Sequence, residues 1–175
     1  MLDRARQVGI KRLMIPSVDL ASVSQSIAIA ESDERVYLAV GIHPNSADSW
    51  NSNSLDELRS LSDHPRVRAI GEIGLDYYRD HTPPEIQKRI LKEQLTVASE
   101  VDKPIILHCR AAFEDLFGIL TEWLDHLPSS AIHLKRHPGV FHSFGGNTRQ
   151  AAIAIQAGFY LGVNGSITFK NASET

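Results

Sequence analysis

Cysteine is nearly missing from this sequence. Cys109 stands alone among 175 residues, so no intrachain disulfide can form, and a reducing, cytoplasmic setting is the simplest expectation. Long hydrophobic runs are missing too. No stretch approaches the ~20 apolar residues that span a bilayer. The first seven residues, Met1-Leu2-Asp3-Arg4-Ala5-Arg6-Gln7, lack the basic-then-apolar build of a signal peptide and read as helix. No membrane partner is therefore expected. A large excess of either charge is also absent. There are 18 Lys and Arg against 21 Asp and Glu, for a formal net charge of −3. That balance argues against strong sequence-independent attraction to a polyanion. It leaves room for a nucleic-acid enzyme, because metal ions supply positive charge locally. Gly/Ser linkers, low-complexity tracts and Gly-rich phosphate loops are absent, and Gly145-Gly146 marks only a tight turn or a close backbone approach. With 42% hydrophobic and 22% charged residues, the chain reads as one globular domain over 1–175.

What the sequence does contain is alternation. Apolar, β-branched runs at 12–18, 36–43, 67–75, 104–108, 139–144 and 159–164 read as strands, with helical patterns between them. Ser54-Leu55-Asp56-Glu57 and Thr82-Pro83-Pro84-Glu85 fit capping boxes. In the second, Pro83 takes the first helical position, where its missing N–H costs nothing. Ile86, Ile90, Leu91, Leu95 and Ala98 then share one helix face. Asn147-Thr148-Arg149-Gln150 opens a further helix, and Gly158 is placed to stop it. Strand–helix repetition implies parallel strands joined by right-handed crossovers, and near-continuous apolar strands suit a sheet covered on both faces. Two α/β architectures compete: a doubly wound open sheet and a (β/α) barrel.

The ends of the apolar runs carry the chemistry. Val40-Gly41-Ile42 leads into His43, Ala69-Ile70-Gly71 into Glu72, Ile105-Ile106-Leu107 into His108, and Gly139-Val140-Phe141 into His142. The four residues are 29, 36 and 34 positions apart, each about one strand–helix unit. In parallel α/β folds the carboxyl ends of successive strands share one mouth. Three imidazoles and a carboxylate there make a divalent-metal site. Any one of them alone is equally a polar residue on a strand leaving the core. Packing would favour Val, Ile or Leu at all four positions, so the joint pattern carries the argument. Glu72 is the sharpest case, since a carboxylate in so apolar a strand must be paired, protonated or bound to metal. His64, His81, His126, His133 and His137 read as solvated surface. Cys109 reads as a small buried hydrophobe. Arg110 reads as a clamp for phosphate or carboxylate, or as a surface salt bridge with Glu114.

Four segments together resemble the TatD family of metal-dependent hydrolases and deoxyribonucleases within the amidohydrolase superfamily. They are Gly41-Ile42-His43-Pro44, the run from Ala69 through Gly71-Glu72-Ile73-Gly74-Leu75-Asp76 to Tyr77, Pro104 through His108-Cys109-Arg110-Ala111, and Phe141-His142-Ser143-Phe144-Gly145-Gly146. The resemblance covers essentially the whole chain and implies a TIM-like (β/α) barrel with two divalent cations at its mouth, whether Mg, Mn or Zn. It implies that Glu72 bridges the cations, that His108 and His142 are metal ligands, and that His43 and Arg110 contact the scissile phosphate or the substrate backbone. The implied reaction is exonucleolytic cleavage of DNA phosphodiester bonds by metal-activated water, of the 3′–5′ kind.

One departure bears on this. The family opens on a strand with a His-x-His pair and closes on a strand with an Asp after Glu-Thr. Here the chain opens in a helical pattern, ends at Ser173-Glu174-Thr175, and holds no His-x-His anywhere. Six strands are legible where a closed barrel has eight. The expectation is an incomplete barrel lacking its first and last strands, with exposed edges, a single weak metal site, no general-base Asp, and little activity as it stands. Two other readings stay open: an amide or ester hydrolase of the same superfamily, such as one acting on D-aminoacyl compounds, and a non-catalytic remnant that binds through its strand edges. The native metal, the exact substrate and the oligomeric state are left open.

Overall fold

The computed structural model describes residues 1–79 and 81–170. Six parallel strands form one sheet in the order β1-β2-β3-β4-β5-β6. They are β1 (Leu13–Pro16), β2 (Val36–Val40), β3 (Val67–Asp76), β4 (Ile105–Arg110), β5 (Gly139–Phe141) and β6 (Tyr160–Leu161). The helices are α1 (Leu2–Gln7), α2 (Val23–Ser32), α3 (Ser54–Ser62), α4 (Pro84–Glu100), α5 (Phe113–Asp125), α6 (Ile132–Arg136) and α7 (Thr148–Gln156). The spatial order follows the chain order without reversal. A doubly wound sheet reverses at a switch point, so this order selects the barrel-type winding, with crossovers all of one sense. The result is a curled half-barrel with its helices outside. Among the described residues, β1 and β6 each have one neighbouring strand.

Packing follows from that winding. Leu38, Val40, Ile70, Ile105 and Leu107 face the helices and join Leu91, Leu95, Leu116 and Leu120 in the main core. The alternate residues Ala39, Ala69 and Ile106 make a second, thin cluster on the concave face, with Val140 beside it. The expectation of a sheet covered on both faces therefore holds for the central strands and fails at the edges, where Met14 and Tyr160 are exposed. Helices cover only the convex side, and the curl alone shelters the middle of the other.

Two local expectations are corrected. Thr82 does not cap α4. The cap is Pro83 and the first helical residue is Pro84. A residue that precedes proline is driven out of the helical region, and Pro83 accordingly sits at φ −55°, ψ 141°. Thr82 Oγ1 is left buried without a partner. Nor does Ser54 cap α3. Asn53 is the cap, Ser54 lies inside the helix, and the Ser54 hydroxyl accepts the Asn51 N–H instead. The box at Asn147 forms as expected, with Gln150 as its reciprocal partner. Gly158 follows α7 at φ +89°.

Candidate metal centre

The mouth is built from strand ends. His43 follows β2 and caps a short 3-10 turn, Pro44–Ser49, where its Nδ1 accepts the Asn45 N–H at 3.1 Å. Glu72 lies within β3 at a bulge. Gly71 pairs with Ile106 and Ile73 with Leu107, so Glu72 is the extra residue. A bulge re-aims its side chain. The Glu72 N–H leaves the neighbouring ladder and donates to Ser17 O, just past the end of β1. His108 and Arg110 close β4. Gly74 lets the two strands meet, because a Cβ there would lie 2.0 Å from His108 O, and its φ is +144°.

Among the described residues, His43, Glu72 and His108 bring one ligand atom each to within 4.8 Å of one another. That spacing suits a cation with bonds of about 2.0–2.3 Å. His108 is held from both sides. Its Nδ1 is 3.1 Å from Glu72 Oε1 and its Nε2 is 3.0 Å from Asp76 Oδ2. The His43 and His108 rings meet edge-on, with centroids 4.3 Å apart.

Burial pushes the Glu72 carboxyl up, but the His108 hydrogen bond and the charges of His108, His142 and His43 outweigh it, so the group lies below its ordinary value. Burial lowers His108, and the bonds and charges of Glu72 and Asp76 reverse this and raise it. Burial, then the charge of His108, lowers His43 to about 4. Burial lifts the Cys109 thiol to about 11, which removes it as a nucleophile at neutral pH.

The expected residues are not all drawn together. His43, expected at the substrate, stands with Glu72 and His108. His142, expected as a ligand, is exposed after β5, outside the tight group, though its charge still acts on Glu72. It borders a cavity of about 410 Å³ lined also by Tyr77, Phe113, Phe141 and Phe144. Arg110 lies on the rim with its guanidinium 3.8 Å from the centroid of Tyr78. The alternative salt bridge to Glu114 is not among its described contacts. The expectation that no general-base Asp is present rests on residues 173–175, which lie outside the described residues.

Sequence reasoning missed three residues. Asp76, 1% exposed, holds His108 Nε2, and its Oδ1 accepts the N–H groups of Tyr78 and Arg79. Burial raises its carboxyl, but these bonds, with those to Asn45 and His108, bring it below the ordinary value. Two buried glutamines of α4 clip the strand ends in place. Gln94 Oε1 accepts the Ile42 N–H at 2.7 Å, and its Nε2 donates to Ile42 O at 3.1 Å. Gln87 treats Asp76 in the same way, at 2.8 and 3.0 Å. Their signal in the sequence is two amides seven positions apart beside the apolar face of one helix.

Comparisons with known proteins point to one family. The family described as TatD related DNase matches residues 1–175. The uncharacterized metal-dependent hydrolase YjjV of Escherichia coli is 36% identical over 99% of this chain and 64% of its own length. The 3′-5′ ssDNA/RNA exonuclease TatD of Cronobacter sakazakii is 34% identical over 94% of this chain and 59% of its own. The crystal structure of YjjV, a TatD homolog from E. coli, superposes with a TM-score of 0.86 at 33% identity, covering 98% of this chain and 63% of that one. This chain thus spans less than two thirds of the relatives it matches.

Proposed function

This chain belongs to the TatD related DNase family, and on that premise we propose that it is a divalent-metal-dependent hydrolase of DNA phosphodiester bonds, working from a strand end in the 3′–5′ sense. The observation that carries the reading is the convergence of Glu72 with imidazoles inside one mouth. Glu72 and His108 of that group, together with His142 outside it, would hold the cations. A bound cation of the Mg, Mn or Zn class lowers the pKa of water and offsets charge on phosphoryl oxygens.

The chain's own groups do the rest. Asp76 Oδ2 accepts the hydrogen bond from His108 Nε2–H, which fixes the tautomer whose Nδ1, beside Glu72, would offer its lone pair to a cation. His43 uses its Nδ1 lone pair on the Asn45 N–H, so the neutral ring carries its proton on Nε2, and that N–H is a donor for a phosphoryl oxygen. The lowered pKa of His43 keeps the ring neutral at pH 7. Arg110, stacked on Tyr78, presents its planar fork of donors at the rim to the substrate backbone. The sequence holds no His-x-His pair, so we propose that these 175 residues alone cleave slowly.

A second reading has one observation in its favour. The cavity beside His142 has walls from Tyr77, Phe113, Phe141 and Phe144, which suit the apolar part of an amide or ester substrate as well as a nucleobase. The test is nucleotide release from 3′-labelled single-stranded DNA with Mn²⁺ or Mg²⁺, run beside a panel of aminoacyl amides and esters. Calorimetry of the same cations accompanies it, and a chain extended at both ends serves as reference. Metal-dependent release that Glu72→Gln abolishes supports the nuclease. Turnover of the amides alone transfers the site to the second reading. No cation binding at all defeats the metal reading, and full activity without extension defeats the proposal of slow cleavage.

A further inference from the structure

The foot of the sheet, at the opposite end from the mouth, is basic. Lys11 and Arg12 precede β1, Arg35 precedes β2, Arg66 and Arg68 flank the first residue of β3, and Lys103 precedes β4. Helix carboxyl ends lie at this end too, and cations there are expected as partners of the last carbonyls. Some of these cations are engaged in that way. Lys103 donates to Ser62 O and Val67 O. Arg35 is clamped to Asp33 and reaches Leu2 O and Ile10 O. Arg66 donates one N–H to Glu34 O at 2.8 Å.

Pairing with carboxylates is sparser. Among the described residues, Lys11, Arg12, Arg66 and Arg68 form no ion pair with a carboxylate. Their setting is built around one ring. The guanidinium carbons of Arg66 and Arg68 lie 5.9 and 5.7 Å from the centroid of Tyr37. Arg68 stands there because the β2–β3 register shifts: Leu38 pairs with Val67 but Ala39 with Ala69, leaving Arg68 as the unpaired residue. A bulge with an arginine on it, aimed at an aromatic face, holds that cation in place at little further entropy cost. Two adjoining hollows of about 440 and 460 Å³ share Arg12 and Tyr37. One also takes Arg68, and the other Lys11, Arg35 and Arg66. Glu34 lines the second hollow, and among the described residues no carboxylate lines the first.

We propose that this foot, with Tyr37 at its centre and Lys11, Arg12, Arg66 and Arg68 around it, is a second nucleic-acid contact that binds the phosphates of a single strand away from the catalytic mouth. Four cations without carboxylate partners, spread over two hollows, exceed what one phosphate neutralises, whereas a run of phosphates engages them all. An aromatic ring among cations is also the composition that single-strand binding uses. The contact needs no metal and stands apart from the chemistry at Glu72.

The test is fluorescence anisotropy of a labelled oligothymidylate of about 20 nucleotides with the 175-residue chain in chelator, between about 50 and 200 mM salt. The double variant Arg12→Gln/Arg68→Gln removes two phosphate contacts. Its log–log salt slope falls by about 1.4, at roughly 0.7 per contact for a single strand, and binding at low salt weakens at least about tenfold. Arg110→Gln at the mouth lowers the slope by at most about 0.7. Circular dichroism confirms that each variant is folded, and the single variant Arg68→Gln, with half the slope change, serves if the double variant is not. An unchanged slope and affinity in the folded foot variants overturns the proposal. So does displacement of the strand by inorganic phosphate at equal phosphate concentration and ionic strength. Loss of metal-dependent hydrolysis has no bearing on this readout, so the two proposals fail separately.

Discussion

Gln94→Leu isolates the clip that holds the strand end beside His43. Gln94 and Ile42 are 1% and 2% exposed, and Gln94 makes both hydrogen bonds to the Ile42 backbone, at 2.7 and 3.1 Å. Leucine fills a similar volume but leaves one N–H and one C=O buried without partners. Each costs about 1–3 kcal/mol. Burying an apolar side chain in place of the amide returns about 1–2 kcal/mol, so the net loss is roughly 1–4 kcal/mol. Against a typical total of 5–15 kcal/mol, that is a large fraction. Urea unfolding is the assay. With m of about 2 kcal/mol/M, the midpoint falls by about 0.5–2 M while m stays constant. Thr96→Ala, on the exposed side of the same helix, is the control and shifts stability by no more than about 0.5 kcal/mol. If Gln94→Leu unfolds within about 0.5 kcal/mol of that control, the clip does not hold the strand end and the reasoning fails.

Three further outcomes follow from the same geometry. Asp76→Asn removes the carboxylate that fixes the His108 tautomer, and Mn²⁺ affinity by calorimetry falls about 10–100-fold with the fold retained; an unchanged affinity contradicts the assigned role. Gly74→Ala places a Cβ 2.0 Å from His108 O at φ +144°, and the protein is recovered unfolded or aggregated; a soluble variant of normal midpoint contradicts the close approach.

The third outcome concerns pH in the metal-free protein. Glu72, Asp76 and His43 all have lowered folded values, His43 at about 4. Their contribution is complete above their unfolded values, about 6.5 for His43, and is lost as pH falls through the folded ones. His108 is raised, so its contribution is complete below about 6.5 and is lost as pH rises through its folded value. Stability therefore peaks near weakly acid to neutral pH. His108→Gln removes the alkaline decline, and a decline that persists in the variant places its cause elsewhere.

The sequence alone determined the six strands, their parallel sense and the mouth at their carboxyl ends. Those features follow from local rules: apolar runs set strand positions, and strand–helix alternation sets direction. It also marked Glu72, because a carboxylate in an apolar strand is costly wherever that strand lies. Only the tertiary structure decided which neighbours Glu72 meets. His43 and not His142 stands in the tight group, because β2 and β4 flank β3 and the bulge at Glu72 turns its carboxylate between them. Asp76 read as part of a motif until burial placed it on the far side of the His108 ring. Gln87 and Gln94 looked like the polar edge of an amphipathic helix, and only the contact of α4 with the strand ends made them clips. The capping expectation at Thr82 failed on a rule that was itself local, the restriction that Pro84 places on Pro83. Side-chain partnerships at the mouth depend on register, bulges and burial, which belong to the folded sheet and to no single segment.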